Sequence, residues 1–436
     1  MSCRTPASSC CRWYGRTAGG RLPPSTSMSS PSGRAQRTLC WLLALGSLLW
    51  WLPVATGDEP PVLFPASELQ SAPSSEGRLV RSLLGVESGR LDEALREAAE
   101  LIEDQPDFKL AHLIYGDVLT ALAGRPTRFA HAAPAGVASG MRSEARARLR
   151  GYLEAPPVGA VPDQLLRLPA DVEQVILIDL EAFRLYVLAH EDGGLSRVGD
   201  YYASIGMGGT DKRREGDEKT PVGVYTVTAY LPDERLADLY GIGAFPISYP
   251  NNWDLFQGRT GSGIWIHGTE WSTYSRPPLS SRGCVTLANE HFVDLRRRVE
   301  VGKTPVVVAR EIRWVMPGEV EERRLELLAA VEQWRQDWES LDTDRYLRHY
   351  AEDFRSADME REEFFAHKRR VNSQKRFIRV ELGEVGAYEY PGEDDLFMVE
   401  FRQVYDSSNY SSLDTKQQFW RRQADGWEIV HEGNVD

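Results

Sequence analysis

Cysteine is nearly absent from this chain outside its first segment. Of five cysteines in 436 residues, Cys3, Cys10, Cys11 and Cys40 lie near the start, and Cys284 stands alone beyond them. A lone thiol cannot close an internal disulfide, and in an oxidising compartment it is a reactive group that needs an explanation. Basic residues are also short, with 51 Lys and Arg against 64 Asp and Glu and a formal net charge of -13. Sequence-independent nucleic-acid binding needs phosphates neutralised by Lys and Arg, so nucleic acid is excluded as a partner. His112, His131, His190, His291, His349, His367 and His431 are scattered without ligand spacing, which predicts no metal site and no cofactor.

The apolar run at 39–52 falls short of the ~20 residues a membrane-spanning helix needs. Arg34 and Arg37 precede it, and Ala55-Thr56-Gly57 follows. A basic region, a short apolar core and small residues at a cleavage point predict a signal peptide over 1–57, removed to leave a periplasmic protein; an uncleaved anchor is the lesser alternative. The residues before Met28 suit neither a folded domain nor a leader, so Met28 is the expected true start. Removal of the leader leaves Cys284 as the only thiol.

From 58 to 75, Pro, Ser, Ala and Glu predict a flexible linker. Over 76–168 the texture is helical: apolar residues recur at three- and four-residue steps in 89–102, Pro106 closes that helix, and further helices are expected at 108–123 and 142–153. Short β-branched and aromatic runs at 175–179, 184–188, 201–205, 222–229, 263–267 and 304–310 predict a mostly β domain over 172–311. Within it, Gly206-Met207-Gly208-Gly209 lacks the Lys-Ser/Thr and the helix of a phosphate loop and reads as a turn. Over 321–436, a long helix carrying Leu327, Val331, Trp334 and Trp338, a short helix around 346–354, and strands at 377–382, 396–406, 417–423 and 427–430 predict an α+β domain. Lys368-Arg369-Arg370 reads as a solvated helix face.

The chemistry concentrates in 261–287. Ile264-Trp265-Ile266-His267 reads as a strand that delivers an imidazole at its end, and Ser281-Arg282-Gly283-Cys284 follows a loop of sixteen residues. Cysteine is nucleophilic as thiolate, and an imidazole within hydrogen-bond reach is the usual means of generating it. Gly268 and Gly283 remove side-chain bulk beside each reacting atom. Backbone N–H groups at Gly283 and Cys284 are candidate oxyanion donors. Trp265, Trp271, Tyr249 and Tyr274 are candidate walls of a peptide groove.

The pattern His267-Gly268, loop, Ser281-Arg282-Gly283-Cys284-Val285 resembles the catalytic signature of the YkuD-type L,D-transpeptidases of bacterial peptidoglycan. Three upstream blocks match in order: Lys219 to Tyr225, Ala244 to Asn251 and Gly258 to Ile264. The resemblance implies a Cys284 nucleophile and a His267 proton donor and acceptor oriented by the Gly268 carbonyl. Ser281, Arg282, Gly283, Trp265, Trp271 and Tyr249 would line the oxyanion and substrate sites. The implied reaction is acyl transfer at the L,D-bond between diaminopimelate and D-Ala of a tetrapeptide stem. One departure stands out: many members carry Arg two residues after the cysteine, where this chain has Thr286.

Before the central domain, the G-x-L-x-x-A-L spacing from Gly89 resembles a tetratricopeptide-type helix pair, but about one and a half repeats fall short of the three or so such an array needs, so a small helical docking or homodimerisation domain is expected. The terminal pattern resembles the cone fold of nuclear transport factor two (NTF2), with a protein or glycan ligand as the implied partner. This three-part layout resembles the L,D-carboxypeptidases that set helical cell shape in Helicobacter and Campylobacter, in which water receives the acyl group. Transpeptidation, hydrolysis and an inactive wall-binding scaffold are therefore the three readings to separate.

Overall fold

In the computed structural model, which describes residues 74–125, 129, 134–191, 194–424 and 426–435, Ser74 starts the first helix by accepting the Gly77 N–H at 3.1 Å. This side-chain cap satisfies one of the amide groups a helix N-terminus leaves without a partner. The expected leader with its four cysteines, and the linker before Ser74, lie outside the described residues. Helices α1 (Ser75–Glu87), α2 (Leu91–Asp104), α3 (Lys109–Leu122) and α4 (Ala135–Leu153) follow. Small residues let α1 and α2 meet closely: Ser82 donates to the Ala94 carbonyl at 2.8 Å, and a Cβ on Gly85 would lie 3.0 Å from that of Ala94. Leu79, Ala98, Leu101, Ala111 and Ile114 fill the helical core, which runs on into Tyr274 and Ala288 of the central segment. The helical segment thus shares a core with its neighbour.

Two short strands come next, β1 (Val161–Pro162) and β2 (Leu165–Arg167). The central segment contains β3 (Gln174–Asp179), β4 (Arg184–Glu191), β5 (Gly194–Tyr202), β6 (Ile205–Gly206), β7 (Gly223–Thr226), β8 (Leu231–Pro232), β9 (Gly243–Pro246), α5 (Asn252–Phe256), β10 (Trp265–His267), β11 (Leu279–Ser281), β12 (Val285–Thr286), α6 (Asn289–Arg296) and β13 (Pro305–Ala309). One sheet runs β5-β4-β3-β13-β7, and a second runs β12-β10-β9-β8. Alternation in the first sheet sends Ile176, Ile178, Val187, Val306 and Val308 into the central core. The opposite face, with Val175, Leu177, Leu188 and Val307, joins the core of the C-terminal segment. Both faces are covered, which explains why these strands read as continuous apolar runs.

After β14 (Trp314–Val315), the C-terminal segment comprises α7 (Pro317–Glu339), α8 (Thr343–Leu347), β15 (Tyr350–Ser356), α9 (Arg361–Asn372), β16 (Ile378–Glu389), β17 (Leu396–Ser407), β18 (Tyr410–Gln423) and β19 (Gly426–Asn434). Its sheet runs β15-β19-β18-β17-β16-β2.

Several sequence expectations change. The stretch assigned to the end of the helical segment supplies β2, which pairs with β16, and β1, which pairs with β14. The short helix expected around 346–354 stops at Leu347, and Tyr350 begins a strand paired with β19. In the basic run Arg369 and Arg370 are exposed, but Lys368 is only half-exposed: its ammonium lies 4.7 Å from the Trp338 ring centre and 4.9 Å from that of Phe364. Burial lowers its pKa to about 8, although Glu432 acts in the other direction.

Candidate active site

Strands β10 and β12 lie side by side and parallel, with His267 opposite Thr286 in register. Cys284 stands one residue before β12, so the pairing brings the histidine and the thiol to neighbouring strands. The His267 side chain is nearly sealed, at 2 % exposure. Its Nδ1 lies 2.5 Å from the Gly268 carbonyl oxygen and its Nε2 lies 3.3 Å from Thr286 Oγ1. A carbonyl only accepts, so Nδ1 carries the hydrogen and Nε2 carries the lone pair. Burial pulls the imidazole pKa down to about 4, against the opposing influence of the Gly268 hydrogen bond. At neutral pH, His267 is therefore an uncharged base.

Asn289 holds the turn that aims this carbonyl. Its Oδ1 accepts from Ile242 N–H at 3.2 Å and Thr269 N–H at 3.1 Å, and its Nδ2 donates to Thr269 O at 2.9 Å. A Cβ on Gly268 would lie 2.2 Å from that Oδ1, so the position requires glycine. Nothing in the sequence pattern marks Asn289 for this work.

Cys284 is a partly exposed thiol outside any disulfide, with Sγ 3.6 Å from the Gly263 carbonyl. The turn before it is tied by Ser281, whose Oγ donates to Cys284 O at 2.5 Å and accepts the Gly283 N–H at 3.1 Å. The expectation that Gly283 N–H serves as an oxyanion donor is therefore corrected: in this conformation it is engaged by Ser281. Gly283 itself has φ +118, and a Cβ there would lie 2.8 Å from Lys219 O. Thr220, which no sequence signal singles out from its block, donates to Gly283 O at 3.0 Å and accepts Gly206 N–H at 2.9 Å.

The remaining expected site residues separate by exposure. Arg282 is exposed and Trp271 is 56 % exposed, so both face solvent from the active-site loops. Trp265 is half-buried, its ring 4.9 Å from that of Tyr240. Tyr249 does not line a groove: it is 5 % exposed and donates to Thr260 O at 3.1 Å within the central core. Tyr274 is also buried, with its ring 4.4 Å from Phe108 of the helical segment.

Both flanks of the site are held by neighbouring segments. On the helical side, Ser275 donates to Glu144 at 2.5 Å and Tyr274 N–H donates to Asp107 O at 3.2 Å. Buried Arg148 pairs with Glu144 at 3.1 Å and with Glu76, which Arg184 also holds at 3.1 Å. On the C-terminal side, Asp254 is fully buried and pairs with Arg259 at 2.9 Å, and Arg259 reaches Glu393 at 3.0 Å. Asn251 donates to the Tyr390 hydroxyl at 2.9 Å.

A cavity of ≈ 120 Å³ lies away from the thiol, lined by Tyr225, Lys303, Glu400, Arg402 and Gln417 among others. It contains no nucleophile and base pair, so the chemistry is placed at Cys284. Among the described residues, no group of three or more His, Cys, Asp and Glu side chains is arranged to hold a metal ion.

Comparison with known proteins gives two family matches: the L,D-transpeptidase catalytic domain, YkuD, over residues 173–308, and the Cds6 C-terminal NTF2-like domain over residues 326–433. Among solved structures, Bd1075 from Bdellovibrio bacteriovorus is similar at 28% identity and a TM-score of 0.54, covering 63% of this chain and 99% of that one. The helical cell shape determining protein Pgp2 from Campylobacter jejuni is similar at 28% identity and a TM-score of 0.53, covering 62% of this chain and 96% of that one. No curated protein sequence matches the chain. With His267, Cys284 and the paired strands β10 and β12 lying inside the first match, the chain contains an L,D-transpeptidase catalytic domain of the YkuD family followed by a C-terminal NTF2-like domain.

Proposed function

We propose that this protein is a periplasmic cysteine enzyme of peptidoglycan remodelling that cleaves the L,D-bond of tetrapeptide stems. The observation that carries the reading is the pairing of β10, which ends in His267, with β12, which Cys284 immediately precedes, inside a YkuD domain. Nε2 of His267 takes the thiol proton as Sγ bonds to the diaminopimelate carbonyl carbon. The bond to D-Ala then breaks and Nε2 returns the proton to the leaving amine. In the second half, water attacks the thioester, its proton passes to Nε2 and then to the departing thiolate, and a tripeptide is released.

Water is the proposed acceptor, making the enzyme an L,D-carboxypeptidase with a role in cell shape. Two features support this: the layout similar to Pgp2, and a threonine at 286, which cannot hold a carboxylate by paired hydrogen bonds as a guanidinium can. Transfer to an amine is the second reading, favoured by the family match alone. Arg282, two residues before the thiol, and Trp271 are both exposed and are proposed to contact the stem peptide. Homodimerisation through the helical segment and a protein or glycan ligand at the NTF2-like domain complete the proposal.

Purified protein incubated with disaccharide tetrapeptide tests it. Tripeptide plus free D-Ala supports hydrolysis, crosslinked dimer supports transpeptidation, and an unchanged substrate leaves the scaffold reading. Cys284→Ala should abolish either product.

A further inference from the structure

We propose that Thr286 is a positioning residue for His267, its hydroxyl changing from hydrogen-bond donor to acceptor as the imidazole takes up the thiol proton. The inference rests on the proposed acyl transfer through Cys284 and His267. Three observations carry it. Thr286 faces His267 across the parallel pairing of β10 and β12, and its Oγ1 lies 3.3 Å from Nε2, the nitrogen that must accept the proton. Nδ1 is committed to Gly268 O, so no exchange of tautomer can free Nε2 from carrying both the resting lone pair and the transferred proton. Thr286 is 2 % exposed, which leaves little room for water to replace the hydroxyl.

A hydroxyl suits this position because it has one O–H donor and two acceptor lone pairs. In the resting state it donates to the Nε2 lone pair and orients the ring, and it gives up that bond as the thiol proton is transferred to the same lone pair. Once Nε2–H forms, the hydroxyl rotates and accepts from it, stabilising an imidazolium in a place that otherwise disfavours charge. Burial depresses the His267 pKa, so this stabilisation acts where the base is weakest. A guanidinium at the same place has no acceptor lone pair and would set a fixed positive charge beside the forming imidazolium.

The other groups facing the ring are Tyr240, whose ring is 5.0 Å away and edge-on, and Arg276 and Glu270 from the following loop, which act on the imidazole with opposite sign. Arg276 and Glu270 are paired with each other. None of these contacts is made by Thr286, so the hydroxyl can be tested alone.

The test compares the full-length wild type with Thr286→Val, which keeps the shape and removes the hydroxyl, and Thr286→Ser, which keeps the hydroxyl. Cys284 alkylation by iodoacetamide is followed by mass spectrometry across pH, alongside tetrapeptide turnover. For the valine variant, the alkylation midpoint should rise by about one pH unit. Its kcat should fall roughly tenfold with KM unchanged. The serine variant should stay within about twofold of wild type. If valine prevents folding by circular dichroism, Thr286→Ala makes the same comparison. An unchanged midpoint and kcat in the variant lacking the hydroxyl would overturn the proposal, as would a serine variant as impaired as valine. Alkylation needs no peptidoglycan, so a wild type inactive on muropeptides would count against the proposed function while the pH shift still decides the role of Thr286.

Discussion

Replacing Arg148 with methionine should destabilise the protein by about 3–5 kcal/mol, the cost of breaking a buried ion pair by removing one partner. The Arg148 side chain is 1 % exposed, pairs with Glu144 and Glu76, and lies 4.0 Å from the Tyr202 ring centre and 5.2 Å from that of Phe108. Methionine can fill much of the space against the rings, so the loss is mainly electrostatic. Glu76 keeps Arg184 at 3.1 Å, whereas Glu144 keeps only the Ser275 hydroxyl as a described partner. Glu144 therefore carries most of the penalty.

The pH dependence follows from the same geometry. Burial already raises the Glu144 pKa above 4.5, with Arg148 opposing that rise. Without Arg148 it rises further. A carboxyl whose folded pKa is raised costs most above that pKa, where it is charged, and costs nothing below its unfolded value. The stability deficit of Arg148→Met should therefore be largest near pH 8 and shrink as pH falls towards 4.5. Reversible urea unfolding followed by tryptophan fluorescence measures it. Combining Arg148→Met with Glu144→Leu should recover most of the loss, because no buried charge is then left at that end of the network. A deficit under about 1 kcal/mol, or a double variant no better than the single, would refute the assignment of a buried, coupled pair.

Further expectations follow from the site. The acid limb of kcat/KM should track His267 near pH 4 instead of its ordinary 6.5, since burial disfavours the imidazolium; a limb near 6.5 in the pH–rate profile would contradict the buried geometry. Gly283→Ala should lose activity, because φ +118 and the 2.8 Å approach to Lys219 O both oppose a side chain; turnover of tetrapeptide gives the answer. Tyr249→Phe should cost only about 1 kcal/mol of stability and leave KM unchanged, as the hydroxyl makes an internal hydrogen bond to Thr260. Trp271→Ala should raise KM with little change in melting temperature, because the ring is exposed. The opposite pattern in either variant would reassign the residue.

Much of the architecture is legible in local sequence. Val175 to Asp179 and Val306 to Val308 read as strands because both faces of their sheet are buried, and His267 and Cys284 stand out through flanking glycines. The remainder depends on partners distant in sequence. The role of Asn289 arises from Ile242 and Thr269 meeting its side chain, and Tyr249 is enclosed by a core that its own neighbours do not specify. Lys368 sits in a basic run, and only the placement of Trp338 and Phe364 shows that its ammonium rests on aromatic rings. The site was readable where its chemistry is local, and unreadable where tertiary packing decides which polar groups are already engaged.

The pairing of β2 with β16 constrains the order in which the chain can be completed. Leu165 aligns with Tyr388, so 388 - 165 = 223 residues must be made before the early strand meets its partner. Contacts this far apart in sequence form late, after the entropy of closing the intervening chain has been overcome. Until then β2 is an unpaired edge, and the sheet face bearing Val175, Leu177 and Val307 lacks its covering core. A ribosome that stalls after the cysteine but before residue 378 would release a nascent chain with its nucleophile present and one side of its scaffold open. Maturation is thereby tied to the arrival of the last strands.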